Sequence, residues 1–222
     1  MLITGTVIGI LEIFYFILIS YNIKIYFNIG NIDTISYYWL MITILTGFWE
    51  YIYITNYDKV IKIANNFLEN NTHVWTNKYN ISYILPWKLS KIFYAEYGAY
   101  ADREYIINKY NDKWSKIIEG THALLCGMFS LFAIINFIFY NFIEFYICCS
   151  IAMGCQLMNS ILYMNQYKIQ TYLKNNLNYD DKYFPCGKYL SKRPFMYVNI
   201  LWTIMPVYII YKLLINNLII FN

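Results

Sequence analysis

Charged residues are scarce in this chain of 222 amino acids. Only 14% of its positions are Asp, Glu, Lys or Arg, whereas 59% are hydrophobic. So apolar a composition is unusual for a soluble domain and is typical of a chain that crosses a membrane several times. The formal net charge of +4 is weak evidence for a nucleic-acid partner, and we expect none.

Histidine and cysteine are too few and too scattered to indicate a metal site or a disulfide framework. The chain has two His and five Cys. Cys126, Cys148, Cys149 and Cys155 fall in apolar segments, where a thiol behaves as a small hydrophobic group, and only Cys186 lies in a polar stretch. We therefore expect neither a bound metal ion nor disulfide bonds.

Long apolar runs are abundant, and they set the predicted architecture. Five runs have the length that a helix needs to cross a bilayer, and the first lacks the basic start and cleavage site of a signal peptide. We predict an all-α polytopic membrane protein, a five-transmembrane-helix bundle forming a single membrane domain over residues 1–222. The predicted spans are residues 2–21, 35–55, 118–140, 142–164 and 195–221.

Residues 56–116 separate the second and third apolar runs. They contain neither a Gly/Ser linker nor an internal repeat, which argues against a second domain. Between Leu85 and Tyr105 apolar and aromatic residues recur at helical spacing beside basic residues, a pattern typical of an amphipathic helix at a membrane surface. We expect one large polar and amphipathic loop that caps one end of the bundle.

Polar side chains inside the apolar runs indicate a buried site, because such groups are costly in lipid. In the second run Thr43, Thr46, Glu50 and Tyr53 recur every three or four residues and therefore share one helix face. The corresponding residues of the later runs are Glu119, His122, Gln156, Asn159, Ser160, Tyr163, Asn199 and Trp202. For the fourth run the open alternative is that these groups only join neighbouring helices.

A proline lies inside the fifth apolar run, at position 206. Because proline has no backbone N–H, it leaves a carbonyl one turn earlier without its helical partner. Within a membrane such a carbonyl is tolerated only where a neighbouring group supplies a new donor.

Several of these segments, taken in order, resemble the emopamil-binding protein family, also called the EXPERA domain family. The matching elements are Glu50, Glu96-Tyr97 followed by Asp102 and Tyr105, Glu119, Gln156 with Leu162-Tyr163, and Asn199-Ile-Leu-Trp202-Thr-Ile-Met-Pro206. The resemblance covers residues 37–214 with similar order and spacing, and no single element carries it.

The resemblance implies a multi-pass protein of the endoplasmic reticulum membrane that moves a sterol double bond from C8=C9 to C7=C8. The residues matched to the family's substrate cavity are Glu50, Glu119, Asn199 and Trp202. Such a reaction needs a protonated carboxyl, a base and an aromatic face for the carbocation, but no cofactor and no metal. The residues expected to contact the substrate are Thr46, Tyr53, Tyr97, Gln156, Asn159 and Tyr163. The expected partners are a sterol or a hydrophobic cationic amine and the lipid bilayer, and a homodimer stays open.

One position departs from the family pattern. Thr46 stands where the family's isomerases place a His, which favours an alternative function, that of a non-catalytic membrane protein binding sterols or cationic amines. His122 lies one turn after Glu119 and is expected to do one of two things. It assists catalysis in place of the missing imidazole, or it is a satisfied imidazole bonded to a neighbouring backbone carbonyl.

Overall fold

The computed structural model describes residues 1–101, 113–172, 195–215 and 218–219, without the side chains of 113–116, 119, 166–172 and 195–198. The prediction of a mostly helical chain is confirmed over these ranges. Their α-helices are α1 Gly5–Tyr26, α2 Thr34–Thr55, α3 Tyr57–Asn70, α4 Pro86–Glu96, α5 Lys113–Ile138, α6 Phe142–Tyr172 and α7 Phe195–Leu214. Two short strands are also present, β1 over Leu2–Thr4 and β2 over Lys78–Asn80.

Three helical segments are long and apolar enough to cross a membrane. They are Gly5–Tyr26, Gly120–Ile138 and Phe142–Asn165, and α7 adds a shorter apolar segment, Asn199–Leu214. Helix α2 spans 22 residues but is not one of these three segments. Its Tyr, Trp and Thr side chains and Glu50 make its mean hydropathy too low. The chain is thus a membrane protein by the length and composition of its helices, and the complete five-helix bundle stays a prediction.

In two predicted spans, some residues expected to be helical take part in other backbone pairing. Residues 2–4 were expected to begin the first span, but they form β1, because their backbone pairs with β2 instead of with the first turn of α1. The fifth span was expected to reach residue 221, but α7 ends at Leu214. Ile219 then forms a β-bridge with Ile32, and the Leu218 carbonyl accepts from the Asp33 N–H at 2.9 Å.

The chain divides by its contacts into two compact units. The first unit comprises the described residues of 1–16, 49–117 and 166–196, and the second those of 17–48, 118–165 and 197–222. Five helices therefore contribute residues to both units, namely α1, α2, α5, α6 and α7. The expectation of a single membrane domain stays a prediction.

The first unit has its own hydrophobic core, although most of its described residues fall in the segment expected to be a loop. In α3 the buried residues Tyr57, Val60, Ala64 and Phe67 follow helical spacing and form one face. Helix α4, inside the predicted amphipathic stretch, adds three buried apolar residues to this core. These are Leu89, Ile92 and Ala95. A largely polar segment can form this core because the apolar residues of each helix lie on one face of that helix.

The start of the chain joins the first unit through backbone pairing. β1 runs antiparallel to β2, with Leu2 opposite Asn80. At the end of β1 the Gly5 N–H donates to the Asn77 carbonyl at 3.0 Å. A Cβ atom on Gly5 would lie 1.9 Å from the Val74 carbonyl oxygen, so only glycine lets α1 begin against this backbone.

In the second unit α2 and α5 approach each other closely at two glycines. A Cβ atom on Gly47 would lie 2.5 Å from the Ala123 carbonyl oxygen and 3.1 Å from the Gly127 Cα. Both neighbours belong to the backbone and cannot rotate away. The missing side chains are therefore what allows these two helices to touch, as small residues do at helix contacts in membranes.

Asp33 directly precedes α2, and its carboxylate contacts several polar groups of the second unit. Its Oδ2 accepts from the Ser36 N–H at 3.0 Å and from the Ser36 hydroxyl at 2.8 Å. The Tyr208 hydroxyl donates to the same oxygen at 3.2 Å, and the Lys212 ammonium lies 3.6 Å from Oδ1. Burial by itself raises the pKa of the Asp33 carboxyl. Bonds from Ser36, the charge of Lys212 and the Tyr208 hydroxyl outweigh burial, so the pKa lies below its ordinary value.

The Asp33 carboxylate is expected to make stability depend on pH in acid. Because its pKa is lowered by folding, its stabilisation is complete above a pH of about 4 and is lost as the pH falls through the folded pKa. Asp33→Asn keeps a capping oxygen but loses the charge, and should cost about 1 kcal/mol near neutral pH. Thermal midpoints of both proteins between neutral and strongly acidic pH should converge at low pH; a constant difference would contradict this.

Candidate functional site

The second unit contains a buried polar cluster formed by side chains of α2 and α6. The Trp39 indole N–H donates to the Gln156 carbonyl oxygen at 2.8 Å. The Gln156 amide nitrogen lies 3.4 Å from the Thr43 hydroxyl, which itself donates to the Trp39 backbone carbonyl at 2.9 Å. Trp39, Thr43 and Gln156 are all buried. The amide of Gln156 is thus held at both ends, as a buried amide must be.

Helix α7 completes this cluster with an aromatic ring. The Trp202 ring meets the Trp39 ring edge to face, with centroids 5.0 Å apart and an interplanar angle of 69°. This is a favourable geometry for two aromatic rings, because the positive edge of one ring faces the negative face of the other. Gln156 and Trp202, both predicted site residues, therefore contact the same neighbour, Trp39. We call Trp39, Thr43, Gln156 and Trp202 the indole–amide cluster.

The carbonyl expected to be freed by Pro206 has a new donor. Pro206 lies inside α7, and the carbonyl four residues earlier is that of Trp202. The hydroxyl of Ser160, on α6, donates to this oxygen at 2.9 Å. Ser160, a residue of the second unit, thus supplies the donor that the interior proline was predicted to require.

His122 contacts a backbone carbonyl. Its Nε2 lies 3.1 Å from the Cys155 carbonyl oxygen and 3.3 Å from the Cys126 sulfur. The tautomer with a proton on Nε2 donates to that carbonyl and so links α5 to α6. This geometry is the one expected of a satisfied structural imidazole, and the catalytic role of His122 stays a prediction.

Thr46, which stands at the position of the family's His, bonds to its own helix. Its hydroxyl donates to the Ile42 carbonyl at 2.9 Å, four residues earlier. Such a bond is common for a threonine inside a helix and uses its only proton locally.

Three predicted site residues belong to the first unit. Tyr53 is buried in its core and stacks on Tyr94, with ring centroids 4.7 Å apart. Glu50 is half-buried near the end of α2, and Tyr97 is half-buried in the π-helical turn that follows α4. Their predicted roles at the substrate are not tested by these positions.

Four further predicted residues lie on α5, α6 and α7. Asn159 and Tyr163 are half-buried on α6, and Asn199 is half-buried on α7. Glu119 lies in α5, but its side chain is outside the described part of the structure. Asp102 and Tyr105 of the resemblance also lie outside the described residues.

A second polar constellation, in the first unit, was missed in the sequence. Glu96 accepts from His73 Nδ1 at 2.8 Å and from the Val74 N–H at 2.9 Å. The Tyr100 ring lies against the imidazole with centroids 4.1 Å apart. The Tyr100 hydroxyl is 2.8 Å from the Phe67 carbonyl oxygen. Glu96 belongs to the family pattern seen in the sequence, but its pairing with His73 was not predicted, because the two residues are 23 positions apart.

Trp39 was also missed, although a signal for it existed. The polar stripe of α2 runs through Thr43, Thr46, Glu50 and Tyr53, and one turn before its first member stands Trp39. A continuation of the same spacing would have placed Trp39 on that face.

The described part of the chain contains no group of three or more His, Cys, Asp or Glu residues placed to hold a metal ion. No protein-family model matches this sequence, and comparisons with curated proteins and with solved structures found no significant similarity.

Proposed function

We propose that this chain is a sterol Δ8–Δ7 isomerase of the endoplasmic reticulum membrane, similar to the emopamil-binding protein family. The observation that supports it is the indole–amide cluster, in which Gln156 of α6 and Trp202 of α7 both contact Trp39. Gln156 and Trp202 lie on different helices and were matched to that family separately. Their common neighbour supports taking the two matches together as parts of one site.

The cluster also has the chemical character that such a reaction requires. A carbocation intermediate must be stabilised without meeting a nucleophile. In the cluster the Trp39 indole N–H and the Gln156 amide are hydrogen-bonded to each other, so these polar atoms are occupied, and two aromatic rings lie beside them. An aromatic face stabilises a desolvated cation by about 2 kcal/mol. Glu50 and Glu119 are the proposed proton-handling groups, and Asn199 the proposed partner of a carboxyl.

A second candidate function is supported by two hydrogen bonds. Thr46 donates to its own helix at Ile42, and His122 faces the Cys155 carbonyl. Because both side chains are hydrogen-bonded to backbone carbonyls, they are less available to transfer a proton to a substrate than the groups expected in the family's isomerases. The candidate is a membrane protein that binds sterols or hydrophobic cationic amines without converting them.

Expression in a host that lacks its own sterol 8,7-isomerase tests the proposal. The protein should convert the accumulated Δ8 sterol into the Δ7 form, which is read from the sterol profile of extracted membranes. Trp202→Leu should lower the conversion, whereas Trp87→Leu, at an exposed position of the first unit, should not. Equal amounts of membrane-inserted protein must be shown for all three.

Unchanged Δ8 sterol despite correct insertion would favour the second candidate. The purified protein should then still be stabilised against heat by hydrophobic tertiary amines, whose ammonium group resembles the carbocation. Amine stabilisation that is the same in Glu119→Gln would remove Glu119 from the binding site. No stabilisation by any such amine would contradict both candidates.

A further inference from the structure

The hydroxyl of Ser160 makes an unusual bond for a helical serine. Inside a helix, a Ser or Thr hydroxyl that bonds to backbone commonly donates to the carbonyl four residues earlier in the same helix. Thr43, Thr46 and Ser150 follow that rule, bonding to the carbonyls of Trp39, Ile42 and Tyr146 respectively. Ser160 instead donates to the Trp202 carbonyl on α7 at 2.9 Å.

The acceptor of this bond is the carbonyl that Pro206 leaves without a partner. In an uninterrupted helix the N–H of residue 206 would bond to the carbonyl of residue 202 and would move together with it. Proline removes that donor, and the replacement comes from Ser160, a buried residue on a different helix. The backbone at Trp202 is consequently tied to α6 as well as to α7.

The tied residue is also the one whose ring faces Trp39. A shift of the Trp202 backbone would change the centroid distance of 5.0 Å and the angle of 69° between the two rings. On α6 Ser160 follows Gln156 by one turn, and Gln156 holds the Trp39 indole N–H at 2.8 Å. One face of α6 thus contacts both tryptophans, one through its indole N–H and the other through its backbone carbonyl.

We propose that Ser160 is a positioning residue for Trp202. By donating to the carbonyl that Pro206 exposes, it sets the Trp202 ring opposite Trp39 and so shapes the aromatic surface offered to the ligand. The part concerning the ligand rests on the proposed function, in which Trp202 faces a sterol carbocation or a cationic amine. The part concerning the ring geometry is independent of any ligand.

The proline supplies a sharp test, because Pro206→Ala returns the missing N–H. Ser160→Ala in the natural background leaves the Trp202 carbonyl unpaired and should lower the thermal midpoint. The same change made together with Pro206→Ala should have little effect, since the backbone N–H restored at position 206 then satisfies the carbonyl. Ser160→Thr, which keeps the hydroxyl, should behave as the natural protein. An equal loss of stability from Ser160→Ala in both backgrounds would overturn the proposal.

A spectroscopic measurement separates positioning from general stability. Two indoles in close contact couple their transitions, and the coupling depends on their separation and angle. The part of the near-ultraviolet circular dichroism that is lost both on Trp39→Phe and on Trp202→Phe reports this pair. We expect Ser160→Ala to reduce that signal and the addition of Pro206→Ala to restore it. A full signal in Ser160→Ala at a temperature where the protein is folded would overturn the positioning role.

The role of Ser160 at the ligand is tested by measuring the affinity of the full-length protein, in detergent, for a hydrophobic tertiary amine. Ser160→Ala should weaken amine binding threefold to tenfold, about 0.6 to 1.4 kcal/mol, the size of one interhelical hydrogen bond in a membrane. Absence of amine binding by the natural protein would count against the proposed function. The thermal midpoints of Ser160→Ala with and without Pro206→Ala, and the circular dichroism, would still decide whether Ser160 positions Trp202. Amine binding unchanged in Ser160→Ala would restrict Ser160 to the ring geometry and overturn its role at the ligand.

Discussion

Gly47→Ala is expected to destabilise the second unit severely. Its new methyl carbon would lie 2.5 Å from the Ala123 carbonyl oxygen and 3.1 Å from the Gly127 Cα. Both contacts are with backbone, so the strain can be relieved only by separating α2 from α5. Overpacking of a tight contact costs roughly 1 to 3 kcal/mol, and we expect a loss of about 3 kcal/mol here, at the upper end of that range. For a chain of this size that lowers the thermal midpoint by about 6 to 12 °C.

Gly154→Ala is the matched control for this experiment. Gly154 also lies in an apolar helix, α6, but a Cβ atom there would meet nothing within 4 Å. The change should leave the thermal midpoint unchanged or raise it slightly, because alanine is the better helix former by about 1 kcal/mol. Similar midpoints for Gly47→Ala and Gly154→Ala would show that α2 and α5 do not meet at Gly47.

Glu96→Ala is expected to cause the largest loss of stability in the first unit. The Glu96 carboxylate is the acceptor for the Val74 N–H, and Val74 is fully buried. Removing the acceptor leaves that N–H unsatisfied, at a cost of about 1 to 3 kcal/mol. The bond to His73 adds less, because the imidazole is 44% exposed and therefore screened by water. We expect a total loss of about 2 to 3 kcal/mol.

Two variants make the Glu96 experiment specific. Glu96→Gln keeps an oxygen for the Val74 N–H but loses the negative charge and the second acceptor oxygen, which faces His73, so it should cost about 1 kcal/mol. Glu69→Ala removes an exposed carboxylate from α3 in the same unit and should change stability by less than about 0.5 kcal/mol. The measurement is the midpoint of thermal unfolding in detergent. Equal effects of Glu96→Ala and Glu69→Ala would contradict the structural role of Glu96.

The helices themselves were largely readable from the sequence. The predicted second and fourth spans, residues 35–55 and 142–164, fall within α2 Thr34–Thr55 and α6 Phe142–Tyr172. An uninterrupted apolar run leaves the backbone no alternative to a helix in lipid, because only a helix satisfies its N–H and carbonyl groups within the segment. The ends were less predictable, since β1 and the bridge at Ile219 depend on partners far away in the chain.

The candidate site was only partly readable. The spacing of Thr43, Thr46 and Glu50 placed them on one helix face, and the interior proline predicted a carbonyl in need of a donor. Neither pattern contains the identity of the neighbouring helix. That Ser160 is this donor, and that Trp39 is the partner of Gln156, follows from two contacts whose partners are 42 and 117 positions apart in the chain.

By itself, the sequence determined that this protein is helical and membrane-embedded, because hydropathy and periodicity are properties of each segment alone. Only the tertiary structure decided which polar groups are paired. It engaged His122 with a backbone carbonyl, joined His73 to Glu96, and placed Trp202 against Trp39. The physical reason is that a hydrogen bond or a ring contact depends on two partners, and periodicity along one helix specifies the direction of a side chain but not what it meets.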